Sequence, residues 1–380
     1  MDATHDNKEL KIVVGGIQTH LLELLPLYEK IEDLKITILT KYSKYQPSTN
    51  RVKIKIIQKF KISKISTVYF FLKSFKELVE INRKEPIDVI NIHSYYYDII
   101  SPLLMNYIFN IPLLLTTPTD FITAQKEEFI SKPQSLIYRI AYYAWMKFFT
   151  KIVRRRKKIY IQAINEKIYR DLIIFHFSKD NLIKMPNCIS SKEYLKVKKD
   201  DHKAVVYGFL GRLIKSKNIR FLLRSFSKYI SNYPDDKLFI FGKGPEESYI
   251  KKFISDKNLE ENIIFWGFLK SKFDIYKKID VLIHPSFGEG FPLTLLEANL
   301  TNTFVIASDV SGSQDIIDHK ENGLLFNPYN ENDLIEQLNY YREHQNLLPQ
   351  LLEEAKNKVL TNFDIEIEVN KIYSFLKSKL

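Results

Sequence analysis

Tyr207-Gly208-Phe209-Leu210-Gly211-Arg212-Leu213-Ile214-Lys215-Ser216-Lys217-Asn218 reads as a strand, a glycine turn and then a helix beginning near Asn218. A strand that hands over to a helix through such a turn is the repeating unit of parallel sheets covered by helices. Arg212, Lys215, Lys217 and Arg220 crowd the amino end of that helix. The helix dipole is already positive there, so cations are unfavourable unless an anion joins them. Free N–H groups at a helix amino end suit phosphate, and an arginine with a lysine can clamp a diphosphate. The competing reading is a solvated basic turn in a lysine-rich chain.

The same alternation extends in both directions. Downstream, strands are expected at 204–210, 237–241, 263–266, 281–284 and 304–307. Upstream, they are expected at 35–40, 52–58, 89–93, 113–117 and 158–163, with amphipathic helices over 17–31 and 68–82. Short β-rich runs separated by helical patterns predict an α/β protein with parallel sheets. A chain of 380 residues exceeds one ordinary core and suits two domains of roughly 150–200 residues. The polar, lysine-rich stretch 187–202 reads as the linker, placing the domains at 1–190 and 203–362. The tail 363–380 has helical periodicity through Ile365, Val369, Ile372, Tyr373 and Leu376, and is expected to pack across both. Two doubly wound, Rossmann-like domains facing a central cleft would bring the carboxyl ends of both sheets together, where such sheets bind ligands.

Bulk composition narrows the class. Hydrophobic residues make up 45% and charged residues 27%, values of an ordinary globular chain. Lys+Arg of 57 against Asp+Glu of 45 gives a net charge of +12, which favours anionic partners. The single cysteine, Cys188, excludes an internal disulfide and a cysteine-built metal site, and suits a reducing compartment. Residues 1–10 are polar and mixed in charge, unlike a secretory signal. The nearly uncharged stretch 99–115 is interrupted by Pro102 and Pro112 and is short for a spanning helix. It is expected to form a buried helix and then a buried strand, and the location expected is cytoplasmic.

A second stretch carries candidate chemistry: His284-Pro285-Ser286-Phe287-Gly288-Glu289-Gly290-Phe291-Pro292-Leu293-Thr294-Leu295-Leu296-Glu297-Ala298. A strand ends at His284, a glycine-flanked loop carries Glu289, and Pro292 suits a first helical position. Glu297 then falls between one and two turns into the helix. Carboxylates can take sugar hydroxyls bidentately, while amides around Phe291–Leu293 can meet phosphate oxygens. The plainer readings are a surface helix glutamate at 297 and a charge favourable to the helix dipole at 289.

The order of these motifs resembles glycosyltransferase family 4, the retaining group 1 enzymes of GT-B fold. Gly211-Arg212-Leu213 followed by Lys217-Asn218 is similar to the family's GRL…K(G/N) element. Phe241-Gly242-Lys243-Gly244-Pro245 and Phe265-Trp266-Gly267 resemble its next two strand ends. Pro285-Ser286, Glu289-Gly290-Phe291-Pro292 and Glu297-Ala298 match PS…EGFP…EA with the family's Glu-x7-Glu spacing. Ser308-Asp309-Val310-Ser311-Gly312 and Asn322-Gly323-Leu324-Leu325 continue in order. The resemblance implies that Arg212 and Lys217 hold a donor diphosphate, that Glu297 binds its ribose, and that Glu289 contacts the transferred sugar. Gly242, Gly290, Phe291, Pro292 and Leu293 would complete the donor site. The implied reaction moves a sugar from a nucleoside diphosphate, a UDP- or GDP-sugar acting as co-substrate, to a glycan or lipid-linked acceptor in cell-surface polysaccharide synthesis.

The first half matches in fewer places. Gly15-Gly16-Ile17-Gln18-Thr19-His20 resembles the family's GG(V/I)xxH loop, which implies that Gly16 approaches the donor phosphate. Fourteen residues precede Gly15, few for a strand and the usual loop, so either a shortened first strand or a late start of the sequence is expected. Thr116-Thr117-Pro118-Thr119-Asp120 carries Thr119 where the family commonly has histidine, leaving Asp120 as a candidate base or sugar ligand, or a turn-capping residue. His93 ends a strand, either in the site or as a structural histidine. Asn187-Cys188 stands where the family has Asn-Gly.

No Asp-x-Asp occurs and no His, Asp and Glu set has metal-ligand spacing, so neither a metal nor a cofactor is expected. The segment 138–158 mixes Tyr142, Tyr143, Trp145, Phe148 and Phe149 with basic residues, a pattern suited to an anionic membrane surface, here the inner face. A core helix with a basic end is the alternative. No nucleic-acid-binding module accompanies the charge. Two other functions fit the same residues: a nucleotide-sugar epimerase, or a non-catalytic subunit that binds a sugar nucleotide.

Overall fold

The computed structural model describes residues 10–15, 19–40, 47–50, 52–56, 63–92, 100–117, 151, 156, 158–174, 176–201 and 203–379. They divide into two compact units, one within residues 1–119, 134–187 and 365–380, the other within 188–364.

The first unit holds a seven-stranded sheet: β1 (Leu10–Gly15), β2 (Leu34–Thr40), β3 (Val52–Ile56), β4 (Val89–Ile92), β5 (Leu113–Thr117), β6 (Ile159–Ala163) and β7 (Leu182–Lys184). Its order is β3-β2-β1-β4-β5-β6-β7 and every pairing is parallel. β1 is a full six-residue strand between β2 and β4, which removes the shortened strand from the two alternatives its position left open. Helices α1 (Thr19–Tyr28), α2 (Ser63–Lys84), α3 (Ile100–Phe109) and α4 (Glu166–Ile174) complete the alternation. Within the stretch 99–115, the described residues 100–115 form a helix and a strand as expected. The helix is buried only through Ser101, Pro102, Met105 and Asn106, whereas its last turn exposes Tyr107, Ile108 and Phe109.

The second unit holds β8 (Val206–Leu210), β9 (Lys237–Phe241), β10 (Ile263–Gly267), β11 (Val281–His284), β12 (Phe304–Ser308) and β13 (Leu324–Phe326). Their order, β10-β9-β8-β11-β12-β13, is again wholly parallel. Counted within the unit, it runs 3-2-1-4-5-6, the doubly wound arrangement whose order reverses between the first and fourth strands. Strands covered on both faces need apolar residues at successive positions, and all four residues of β11 are buried. Tyr207, Phe209, Val281, Ile283, Phe304 and Ile306 face one core. That core is closed by α5 (Ile219–Tyr229), α6 (Glu247–Asp256) and α10 (Glu331–Glu343), the helices between being α7 (Lys272–Lys277), α8 (Leu293–Leu300) and α9 (Ser311–Gln314). α8 lies over the other face against β11, β12 and α11 (Leu348–Asn362).

The stretch read as a linker is instead packed into the second unit: Cys188, Ile189, Ser191 and Tyr194 are buried. Lys199 donates through Nζ to the carbonyls of Tyr276 (2.9 Å) and Ile279 (2.5 Å) and to the Thr303 hydroxyl. Widely spaced anchors in a polar sequence look like a linker because no periodicity announces them. The last helix, α12 (Ile365–Lys379), belongs to the first unit and packs on α1, with Phe375 edge-on to Tyr160 at 5.4 Å.

Candidate active site

The order reversal in the second sheet falls between β8 and β11, and the two quoted motifs leave the carboxyl ends of these strands. After β8 the chain makes the turn Gly211–Ile214, a single turn of tight helix at Lys215–Lys217, and then α5. Asn218, between the two helices, has φ +54°, a conformation that asparagine tolerates better than most side chains. The Gly211 turn is braced by the turn after β9. Gly211 N–H donates to the Phe241 carbonyl (3.1 Å) and Leu213 N–H to the Lys243 carbonyl (3.0 Å). Gly242 has φ +149°, and a Cβ there would collide with the Gly211 carbonyl oxygen. Packing of turn on turn therefore accounts for glycine at 242 without any ligand.

Of the four cations at this turn, two have protein partners. Arg220 pairs through Nε with Glu246 at 2.5 Å, and Lys217 pairs with Glu289. Arg212 and Lys215 are exposed and have no ion-pair partner among the described residues. The crowding of charge is thus half relieved by the protein itself.

The loop after β11 is held close to the β8 turn, because Phe287 N–H donates to the Ser216 carbonyl at 3.0 Å. Glu289 sits in this loop with a side chain 13% exposed. Its Oε1 takes both available donors, Lys217 Nζ and His284 Nε2, the latter at 2.8 Å. Oε2 receives no hydrogen bond among the described residues. Burial pushes the Glu289 carboxyl up, but the charges and hydrogen bonds of His284 and Lys217 outweigh it and hold the group well below the usual carboxylate range. Glu289 is therefore an ionised carboxylate with one oxygen tied and one open. The loop's path also depends on Gly312 in α9, where a Cβ would lie 2.6 Å from the Gly290 carbonyl oxygen and 2.9 Å from that of Glu289.

Phe291 anchors the loop by packing on Phe363, with ring centroids 5.4 Å apart. α8 starts at Leu293, so Pro292 is its cap and not its first helical residue. Pro292 has no N–H, which leaves Phe291 and Leu293 as the amides at the helix's amino end. Glu297, on α8, is 1% exposed, so the surface-glutamate reading is excluded. Its Oε1 accepts from Tyr194 OH (3.1 Å) and Lys272 Nζ, and its Oε2 from Tyr276 OH (2.8 Å). Carboxylates 289 and 297 thus differ in kind. One is tied on a single oxygen beside unpaired cations, while the other is hydrogen-bonded on both oxygens, with the half-exposed Lys272 among its partners.

The structure gathers Arg212, Lys217, Glu289, Gly290, Phe291, Pro292 and Leu293 at the switch point, and Glu297 on the helix that leaves it. Gly16, His93 and Asp120 lie outside the described residues, as does most of 138–158. In sequence, Gly16 directly follows β1 and His93 directly follows β4, the strands flanking the corresponding reversal in the first sheet. Sequence reasoning passed over His284, treating it only as a strand end. A histidine five residues before the loop glutamate was the available signal. It also passed over Lys272, Tyr194 and Tyr276, whose meeting at Glu297 no local pattern announces. Among the described residues no three His, Cys, Asp or Glu are placed to hold a metal ion, and no helix is long and apolar enough to cross a membrane.

Comparison with known proteins agrees with this architecture. Residues 190–358 match the family model described as glycosyl transferases group 1. Over 323 residues the chain is 26% identical to the uncharacterized glycosyltransferase MJ1059 of Methanocaldococcus jannaschii, spanning 82% of this chain and 77% of that one. It is 23% identical over 314 residues to the UDP-Gal:alpha-D-GlcNAc-diphosphoundecaprenol alpha-1,3-galactosyltransferase of Escherichia coli, spanning 79% and 78%. The fold superposes on the crystal structure of Anabaena HepE in complex with UDP with a TM-score of 0.75, at 15% identity, over 97% of this chain and 100% of that one. The protein is a glycosyltransferase of GT-B fold. The region that matches the group 1 model lies in its second unit.

Proposed function

We propose that the protein transfers a sugar, with retention of anomeric configuration, from a nucleoside diphosphate to a glycan or lipid-linked acceptor in cell-surface polysaccharide or glycolipid synthesis. The observation that carries this reading is the pairing of Lys217 with Glu289 at the switch point, beside the exposed Arg212 and under an open carboxylate oxygen. A diphosphate between Arg212 and Lys217 would offset the negative charge that grows on the leaving group. The open oxygen of Glu289 would then face the sugar as positive charge develops at its anomeric carbon. Glu297 would take the ribose hydroxyls, with Lys272 yielding its place.

UDP is the favoured nucleotide, since HepE was solved with UDP and the E. coli relative is named for UDP-Gal. That relative's name also specifies a diphosphoundecaprenol acceptor, which favours a lipid-linked acceptor here. A peripheral position on the inner membrane face fits the net charge of +12 and the exposed Tyr107, Ile108 and Phe109, with the Arg156 guanidinium 4.2 Å over the Tyr107 ring. Gly16, His93 and Asp120 are assigned to the donor-phosphate and acceptor side of the same reaction.

The test is thermal stability of the wild-type protein against UDP-, GDP- and ADP-sugars. A nucleotide at 100 times its Kd adds about 2.7 kcal/mol of stability. Selective stabilisation by UDP-sugars is expected, and no shift with any of them would overturn the reading.

A further inference from the structure

Under the reading above, Lys217 has two demands on one ammonium. In the structure it lies on Glu289 Oε1, yet the same group is assigned to the donor's diphosphate. Shared between two anions, it fixes Glu289 less firmly at the moment when the carboxylate's position matters. His284 is the other donor to that oxygen. It ends β11, is 3% exposed, and places Nε2 2.8 Å from Oε1, with the Ser286 hydroxyl 3.2 Å from the same nitrogen. A carboxylate oxygen offers only lone pairs, so Nε2 carries the hydrogen and donates. Among the described residues Nδ1 is buried with no hydrogen-bond partner, so the edge the ring engages there is the edge on Glu289. Side chains alternate along a strand, which sets His284 on the face of Leu282, opposite Val281 and Ile283 and toward α8.

We infer that His284 is a positioning residue for Glu289: its Nε2–H holds Oε1 so that Oε2 is presented to the transferred sugar, and it keeps that hold when Lys217 engages the donor's diphosphate. The inference rests on the proposed transferase reading. The depressed pKa of Glu289 agrees with it, since the carboxylate stays charged despite its burial.

The experiment compares His284→Gln, His284→Asn and His284→Leu with wild type. The Gln amide nitrogen reaches the place of Nε2, whereas the Asn amide stops near that of Nδ1. Steady-state nucleotide release from UDP-glucose, UDP-galactose, UDP-N-acetylglucosamine and GDP-mannose gives kcat and donor KM, and UDP-dependent thermal stabilisation reports binding alone. A charge-assisted hydrogen bond of this kind corresponds to a factor of roughly 10–100. His284→Leu and His284→Asn should lose about that much kcat, with donor KM and UDP stabilisation near wild type, and His284→Gln should recover most of it. If His284→Leu does not fold, the Gln–Asn pair carries the same comparison. Wild-type kcat in His284→Asn or His284→Leu overturns the inference alone, as does a parallel loss of kcat and UDP binding that Gln fails to rescue. A wild type that neither binds nor turns over any of the four donors overturns the transferase reading and the inference with it.

Discussion

Replacing Glu297 by alanine should lower stability and nucleotide affinity by separable amounts. The carboxylate is 1% exposed and accepts from Tyr194, Lys272 and Tyr276. Breaking a fully buried charge pair costs about 3–5 kcal/mol. Here the cost is smaller, because the Lys272 side chain is 52% exposed and its ammonium can turn to water. The Tyr276 hydroxyl keeps the Thr294 carbonyl at 3.2 Å. The expected loss is therefore roughly 2 kcal/mol, within the range of about 1–3 kcal/mol for stranding a buried polar group. In a domain of this size that lowers Tm by about 4–8 °C.

Affinity follows from the ribose contacts assigned to Glu297. Losing charge-assisted hydrogen bonds of roughly 1.5–3 kcal/mol raises the Kd for UDP about 10–100-fold. At a UDP concentration 100 times the wild-type Kd, stabilisation then falls from about 2.7 to roughly 0.4–1.4 kcal/mol. Thermal melts of both proteins with and without UDP measure the two effects in one plate. A variant with a lowered baseline but an undiminished UDP shift would refute the ribose assignment. One unchanged in both would refute the reading of Glu297 altogether.

Three further outcomes follow from the same geometry. Gly312→Ala should displace the Glu289 loop, since the added Cβ meets the carbonyls of Gly290 and Glu289, and cost about 1–3 kcal/mol as overpacking does; unchanged stability and kcat would contradict this. Glu289→Gln should destabilise the protein at neutral pH, because the folded carboxyl titrates below its ordinary value of 4.5. A depressed carboxyl contributes stability above its unfolded pKa and loses it as pH falls through the folded value, so urea denaturation should show the gap to wild type shrinking below about pH 4.5, and a gap that widens in acid would count against it. Tyr107→Ser combined with Phe109→Ser should reduce sedimentation with anionic vesicles without altering UDP stabilisation, and undiminished sedimentation would remove these residues from the membrane face.

Much of the second unit was legible because its strands are short apolar runs between glycine turns, and local sequence sets such runs. The Glu-x7-Glu spacing likewise put one carboxylate in a loop and the other in a helix. The difference between the two was not legible. Glu297 is buried by Tyr194 and Tyr276, 103 and 21 residues away, and only the assembled fold brings them together. Arg220 crowds the helix amino end with Arg212, Lys215 and Lys217 in the sequence, yet Glu246, 26 residues on, takes it. β7 and β13 have three residues each, too few to show a period. His284 escaped notice because a strand-end histidine is an ordinary core residue until its Nε2 is seen on Glu289.

The most direct test of the central claim is product analysis with a UDP-sugar and a lipid-linked acceptor, for wild type and Glu289→Gln. The account predicts an α-linked product from an α-linked donor, UDP released in equal amount, and a fall in kcat of at least about 100-fold in the variant, with UDP binding preserved. An inverted product, an epimerised nucleotide-sugar without transfer, or a Glu289→Gln enzyme working at the wild-type rate would contradict it.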